Sequence, residues 1–66
     1  MRIHLNGEPY ELADGQTVAD LLARLDLVGR RVAVELNLDI VPRSLHAATA
    51  LREGDRIEVV HAIGGG

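Results

Sequence analysis

A single apolar stripe of helical period lies between segments whose hydrophobic residues alternate with polar ones. Four aliphatic side chains recur at positions i, i+3, i+4 and i+7, on one face of a helix: Val18, Leu21, Leu22 and Leu25. Hydrophobic and polar residues alternate instead within residues 1–12, 31–36 and 56–62, as in strands with one buried face. Because one amphipathic helix can cover only one face of a sheet, the pattern predicts a two-layer α+β domain.

The first twelve residues predict a β-hairpin at an edge of this sheet. Asn6-Gly7 separates two alternating segments, and the dipeptide suits a type I′ turn because both of its positions need a positive φ. Pro9 has no backbone N–H to donate to a neighbouring strand. The returning strand is therefore expected at the edge.

The limits of the helix also have signals in the sequence. Thr17 is a good N-cap residue, and Asp20 three positions later approximates a capping box. Gly29 suits the left-handed conformation that commonly follows a helix, so the helix is expected to end shortly before it.

The second half of the chain predicts three more strands, over residues 31–36, 40–41 and 56–62. The intervening residues 44–50 predict irregular structure or a single helical turn. We expect Leu45 and Leu51 to contact the core.

Because the helix separates the opening hairpin from the later strands, the first and last strands can lie parallel at the sheet centre. This is the β-grasp, or ubiquitin-like, arrangement: a mixed sheet of four to five strands with one main helix packed on one face. Length limits the chain to one domain. We assign residues 1–63 to it and residues 64–66 to a flexible glycine tail.

Composition removes several kinds of chemistry. The chain has no cysteine, so it has no disulfide, cysteine metal site or thiolate nucleophile, and all seven basic residues are arginine. Tyr10 is the only aromatic residue and the net charge is −3, which argues against nucleic-acid and anionic-membrane partners. No apolar run has the length of a membrane span and no signal peptide begins the chain, so the expected compartment is the cytoplasm.

No ordinary active site is apparent. The three histidines (His4, His46 and His61) lie on separate predicted elements without metal-ligand spacing, and surface or half-buried positions are expected for them. The carboxylates are spread among the arginines, as on a solvated surface. We therefore expect no catalytic residue, no metal and no bound cofactor in this chain.

The run Gly64-Gly65-Gly66 is the feature that this organisation leaves unexplained. Glycine-rich ends are often only frayed tails or linkers. Glycine lacks a Cβ, however, so such a tail can enter a narrow cleft in another protein. A carboxylate on Gly66 would need activation before it could react, and ATP is the usual source of the leaving group. The chain has no Gly-rich phosphate-binding loop with lysine, so ATP would be bound by a partner.

Four segments together resemble the ThiS family, the sulfur carriers of thiamine thiazole biosynthesis: residues 18–22, 32–37, 40–44 and 54–60. The resemblance spans essentially the whole chain, and its most specific part is the ending His61-Ala62-Ile63-Gly64-Gly65-Gly66. It implies a carrier and not an enzyme, with Gly66 as the modified residue, Gly65 as the second glycine of the pair and Gly64 in a supporting role.

The resemblance also implies partners. An E1-like adenylyltransferase related to ThiF would activate the Gly66 carboxylate with ATP. Sulfur from a cysteine persulfide, supplied through a cysteine desulfurase, would convert the adenylate to a thiocarboxylate. Thiazole synthase, related to ThiG, would accept the sulfur.

A docking surface is expected on the uncovered face of the sheet. If Ile57 and Val59 face the helix, Val60 and Ala62 face outward, and Ile63 lies beside them next to the tail. An apolar strip there would suit a partner, although single surface hydrophobes are also common.

Two alternatives remain open in the sequence. One is the related carrier subunit of molybdopterin synthase, MoaD, which also ends in Gly-Gly but is typically longer. The other is a passive β-grasp interaction module whose glycines have no chemical role.

Overall fold

The computed structural model describes residues 1–61. Within them the strands are β1 (Arg2–Leu5), β2 (Glu8–Glu11), β3 (Val32–Leu36), β4 (Asp39–Ile40) and β5 (Arg56–His61). Helix α1 spans Val18–Arg24, and a 3₁₀ helix spans Arg43–Ala48. The strands of this described part form one mixed sheet in the order β2-β1-β5-β3-β4. The predicted β-grasp fold, a mixed sheet with one main helix, is confirmed.

Strand β5 lies at the centre of the sheet. It runs parallel to β1, with Leu5 opposite Ile57, and antiparallel to β3, from Val32 opposite His61 to Leu36 opposite Ile57. Strand β2 is an edge strand, as Pro9 predicts, because its other side has no hydrogen-bonded neighbour among the described strands. The first and last strands are therefore the parallel pair that the sequence predicts.

Helix α1 begins where its capping residues predict. The Thr17 Oγ1 accepts a hydrogen bond from the Asp20 N–H at 3.2 Å, and the Asp20 carboxylate accepts one from the Thr17 N–H at 2.9 Å. The reciprocal pair satisfies two backbone donors that the first turn of a helix leaves without partners.

The end of α1 differs from the prediction. Asp26 adopts the left-handed conformation (φ 60°), and the N–H of Leu27 donates to the carbonyl of Leu22 at 2.8 Å. This is a Schellman closure, formed three residues before Gly29. Gly29 has a positive φ as well, but it serves the following turn. Asp is tolerated at the left-handed position because its short polar side chain is among the less strained there.

The core fills the space between α1 and one face of the sheet. Its fully buried side chains come from β1, α1, β3 and β5: Ile3, Val18, Leu21, Val34 and Ile57. Leu51 is also buried, as predicted, and its N–H donates to the carbonyl of Gln16 at 2.9 Å. This bond fastens the segment before β5 to the start of the helix.

The prediction that Leu45 contacts the core is wrong. Leu45 is 50% exposed, whereas the neighbouring His46 is only 8% exposed and places its Nε2 3.0 Å from the Val41 carbonyl. In a 3₁₀ helix successive residues are rotated by a third of a turn, so the register that buries His46 turns Leu45 outward. The hydrogen bond to a carbonyl satisfies the polar atom that burial removes from water.

Both hairpins are closed by two-residue turns that begin with asparagine. In the β1–β2 turn, Asn6 and Gly7 have φ values of 51° and 85°; in the β3–β4 turn, Asn37 and Leu38 have φ values of 50° and 75°. Glycine adopts such angles without strain, but a leucine Cβ crowds the backbone there. Leu38 is also 83% exposed, so packing does not compensate for the strain.

Replacing Leu38 with glycine should therefore stabilise the domain. We expect L38G to raise the free energy of unfolding by about 0.5–1 kcal/mol, because the relief of left-handed strain exceeds the entropic cost of glycine. Urea unfolding monitored by circular dichroism measures this difference. L45G is the matched control: it removes another exposed leucine but at a residue without a positive φ, and it should destabilise the domain. A loss of stability in L38G would contradict the argument.

Candidate functional site

The candidate site is the carboxyl end of β5 and the surfaces next to it. Of the predicted site residues, Val60 lies in β5, whereas Ala62, Ile63, Gly64, Gly65 and Gly66 lie outside the described residues. Within the described residues, the site is represented by strand β5, which precedes the glycine segment in the sequence. Its geometry depends on how firmly β5 is held.

On one side, β5 is held by β3 along nearly its whole length. The register runs through five pairs and ends with His61 opposite Val32. The side chains of Ile57 and Val59 point into the core, with 1% and 8% of their surface exposed. Paired backbone and buried side chains together prevent this strand from detaching without loss of the core.

On the other side, β1 is too short to pair with all of β5. The β1–β5 ladder registers His4 opposite Arg56 and Leu5 opposite Ile57, and the chain then turns away at Asn6. The Asn6 side chain continues the ladder. Its Oδ1 accepts a hydrogen bond from the Val59 N–H at 2.9 Å, and its Nδ2 donates to the Val59 carbonyl at 3.2 Å. The Asn6 side-chain amide thus forms hydrogen bonds to Val59 like those that a further residue of β1 would form.

A second asparagine fixes the beginning of β5. The Asn37 Oδ1 accepts from the Arg56 N–H at 3.0 Å, and its backbone N–H donates to the Arg56 carbonyl at 2.8 Å. Its Nδ2 also donates to the Asp55 carboxylate at 3.1 Å. Each hairpin turn therefore contributes one side-chain amide to β5, Asn6 from the β1 side of the strand and Asn37 from the β3 side.

Val60, the predicted docking residue that lies within residues 1–61, is on the face of the sheet away from α1. Val60 is 54% exposed there, and its β3 partner is the half-buried Ala33. Ile40, which is 66% exposed, lies opposite Glu35 on the same face. Glu35 and Glu58, which are partners on β3 and β5, lie next to this apolar area, and Arg56 follows on the same face of β5. The outward orientation of Val60 agrees with the alternation of β5, and its role in docking stays a prediction.

The described residues contain no arrangement of an ordinary active site. No three histidine, aspartate or glutamate side chains in residues 1–61 come together as a metal site would require. His4 and His61 are exposed on separate strands, and His46 is buried in the 3₁₀ helix. Neither α1 nor the 3₁₀ helix of this segment has the length and apolar composition of a membrane crossing.

Comparison with known proteins identifies the family. The ThiS family model matches residues 3–66. The chain belongs to the ThiS family.

Relatives of this ThiS-family chain fall into two groups by length. The sulfur carrier protein ThiS of Escherichia coli is 38% identical over 66 residues, and the match covers both proteins completely. A thiazole synthase of Magnetococcus marinus is 50% identical over 66 residues, which is all of this chain but 20% of that protein. The chain thus spans about one fifth of the length of the first curated relatives that it matches.

The fold of this ThiS-family chain agrees with a solved structure. The crystal structure of a thiamine biosynthesis protein (ThiS) from Geobacter metallireducens superposes with a TM-score of 0.87 at 33% sequence identity, and the superposition covers both chains completely. The agreement includes the mixed sheet and the single main helix described above.

The side-chain amides of Asn6 and Asn37 hold β5 through contacts that the sequence pattern does not predict. The sequence predicts only a turn at Asn6, whereas in the structure its side chain forms hydrogen bonds to Val59, 53 positions away. The available signal was that asparagine occupies the first position of both two-residue turns. Asparagine there provides a positive φ and also a side-chain amide that can reach the neighbouring strand.

Removing the Asn6 amide should loosen the end of β5. Asn6→Gly keeps the positive φ and removes both hydrogen bonds, so we expect it to lower the free energy of unfolding by about 1–3 kcal/mol. Amide hydrogen exchange at Val59 should accelerate. Asn6→Asp keeps the acceptor for the Val59 N–H and loses the donor to the Val59 carbonyl. In this variant the exchange rate of the Val59 amide should lie between those of the unmodified chain and Asn6→Gly. Equal exchange at Val59 in all three proteins would show that the amide does not hold β5.

Proposed function

We propose that this chain is a sulfur carrier whose working group is the carboxylate of Gly66. The family match extends through residue 66, and the E. coli relative that aligns along its whole length is named a sulfur carrier protein. The chemistry of the chain supports the same function. Since it has no cysteine, the sulfur must be held on another group, and a terminal carboxylate can hold it as a thiocarboxylate.

The proposed chemistry has three steps. The Gly66 carboxylate attacks the α-phosphate of ATP, releasing pyrophosphate and forming an acyl-adenylate. The terminal sulfur of a cysteine persulfide then attacks the glycyl carbonyl, and AMP leaves. A thiol from a partner finally cleaves the S–S bond of the resulting acyl persulfide, which leaves the thiocarboxylate on Gly66 and a disulfide between the two partner sulfurs.

In this proposal, the catalytic groups for all of these reaction steps belong to partner proteins. The chain has no lysine and no Gly-rich phosphate-binding loop, so ATP is bound by an E1-like adenylyltransferase of the ThiF type. The persulfide comes from a cysteine desulfurase. The chain is thus a co-substrate, not an enzyme, and we place its reactions in the cytoplasm, where ATP is available.

The proposed acceptor is thiazole synthase of the ThiG type. Two curated proteins of that name contain a segment that matches the whole of this chain at 50% and 46% identity. These names favour the thiamine pathway over the molybdopterin pathway of the MoaD alternative. A passive interaction module would not explain why a carrier family matches through the final glycine.

The firm attachment of β5 to the sheet supports a mechanism in which the short glycine segment after it delivers the Gly66 carboxylate to a partner. Strand β5 is held to His61, and residues 1–63 are proposed as the domain with 64–66 as its flexible tail. Three extended glycines reach about 10 Å, enough to enter a partner's nucleotide site. Without Cβ atoms, Gly64, Gly65 and Gly66 can pass through a narrow cleft.

Intact-mass analysis tests the carrier function directly. After incubation with an adenylyltransferase, ATP and a persulfide source, the chain should gain the mass difference between sulfur and oxygen. Fragmentation should place the gain on Gly66. Two controls should show no gain: the reaction without ATP, and a variant extended by one residue beyond Gly66. A gain of sulfur elsewhere in the chain, or equal gain in the extended variant, would contradict the proposal.

We also propose that the adenylyltransferase docks on the uncovered sheet face around Val60, Ala62 and Ile63. Val60→Asp should weaken this docking about tenfold, because it buries a charge without a partner in an apolar interface. The measurement is the KM of the chain in ATP–pyrophosphate exchange, with circular dichroism to show that the fold is intact. Leu45→Asp is the matched control, since it charges an exposed aliphatic residue on the other side of the domain. Equal KM values for the two variants would refute this docking surface.

A further inference from the structure

A second apolar surface lies on the helix side of the domain, away from the uncovered sheet face. It is a groove of about 280 Å³ between α1, the 3₁₀ helix and the loop that leads into β3. Its apolar lining consists of aliphatic residues from these three elements and from the first position of β3: Ala19, Leu22, Leu27, Val28, Val32 and Ala47. Val28, at 73% exposure, adds apolar surface that solvent still reaches.

The charge of the groove is opposite to that of the whole chain. The chain carries ten acidic and seven basic residues, yet the charged side chains among the described lining residues are Arg30 and Arg43. The Arg43 guanidinium donates to the Arg30 carbonyl at 3.3 Å, which ties the 3₁₀ helix to the loop before β3. An arginine held in this way keeps its remaining N–H donors at the groove for an anionic group.

The wall formed by the 3₁₀ helix is also fixed. His46 lines the groove, and its hydrogen bond to the Val41 carbonyl holds the ring in place. The groove is therefore formed by packed elements and needs little rearrangement to accept a ligand.

We propose that this groove binds a segment of a protein partner that carries an aliphatic side chain next to a carboxylate. The apolar lining accommodates the aliphatic group, and Arg30 and Arg43 complement the carboxylate. The volume is at or below the lower limit of sites that enclose small-molecule ligands, and it suits one or two side chains of a bound peptide.

The position of the groove suggests its role. Val32 both lines the groove and lies opposite His61, the last residue of β5. A partner segment in the groove would therefore be held at the end of the sheet from which the glycine tail leaves, while the face around Val60 stays free. This role, of fixing a carrier on a partner, rests on the proposed function; the binding of acidic, apolar peptides does not.

Peptide titration monitored by NMR of the ¹⁵N-labelled chain tests the binding. The probe is acetyl-Glu-Leu-Asp-Leu-Glu-amide. We expect saturable shifts at groove residues, represented by Ala19, Val28 and Ala47. Acetyl-Glu-Ser-Asp-Ser-Glu-amide lacks the aliphatic groups and acetyl-Lys-Leu-Lys-Leu-Lys-amide reverses the charge, so each should bind about tenfold more weakly or not at all.

Two pairs of variants separate the groove from general electrostatic attraction. Arg43→Glu should weaken binding of the acidic leucine peptide about tenfold, whereas Arg52→Glu, an exposed arginine outside the groove, should leave it unchanged. Ala47→Glu should weaken it similarly, and Ala48→Glu, the next exposed residue of the same 3₁₀ helix, should not. The alanine pair disturbs no hydrogen bond of the native groove, so it also covers the case in which Arg43→Glu alters the fold.

Several results would overturn the proposal: no saturable shift with the acidic leucine peptide, shifts centred on Ala33 and Val60, equal binding of the lysine peptide, or equal losses within each variant pair. Thiolation of Gly66 is measured separately by mass. A chain that is thiolated but binds no peptide would refute the groove alone, and a chain that binds peptide but is never thiolated would refute the carrier function alone.

Discussion

The central position of β5 is the constraint on which the rest of the molecule depends. This strand pairs with β1 on one side and β3 on the other, and it buries Ile57 and Val59 beneath α1. Where β1 ends, the Asn6 amide takes over, and the Asn37 amide secures the start of the strand. A strand held in these ways moves only with the whole domain. The end of β5, which precedes the glycine segment, therefore has a fixed position relative to the core. The uncovered sheet face and the groove beside the 3₁₀ helix are also fixed in position relative to the end of β5.

Local patterns in the sequence were enough to predict the architecture. The four-residue apolar stripe defined the helix, Asn6-Gly7 the first turn, and Pro9 the edge strand. Each of these signals acts over fewer than ten residues, through steric limits on φ or the period of a regular element. The outward position of Val60 followed from the same alternation. The assignments to Gly64, Gly65 and Gly66 come from family resemblance and lie outside the described residues.

Features that depend on tertiary contacts could not be predicted in this way. The choice of His46 over Leu45 for the core depends on the rotation of a 3₁₀ helix, which a segment without clear periodicity does not specify. The helix ends early because a Schellman closure forms at Asp26, three residues before Gly29, the residue that predicts the helix end in the sequence. The groove requires α1, the 3₁₀ helix and the loop before β3 to meet, and no local pattern in any of them indicates a cavity.

The layered fold also explains how so small a chain could serve more than one partner. The core uses one face of the sheet and one face of α1, which leaves the opposite sheet face and the groove beside the 3₁₀ helix exposed. The groove is lined by Arg30 and Arg43, whereas Glu35 and Glu58 lie beside Val60 on the sheet face, so the two surfaces differ in local charge and would favour different partners. Both lie close to the end of β5. If an adenylating partner and an accepting partner used different layers, each could position the same glycine tail without first removing the surface that the other recognises.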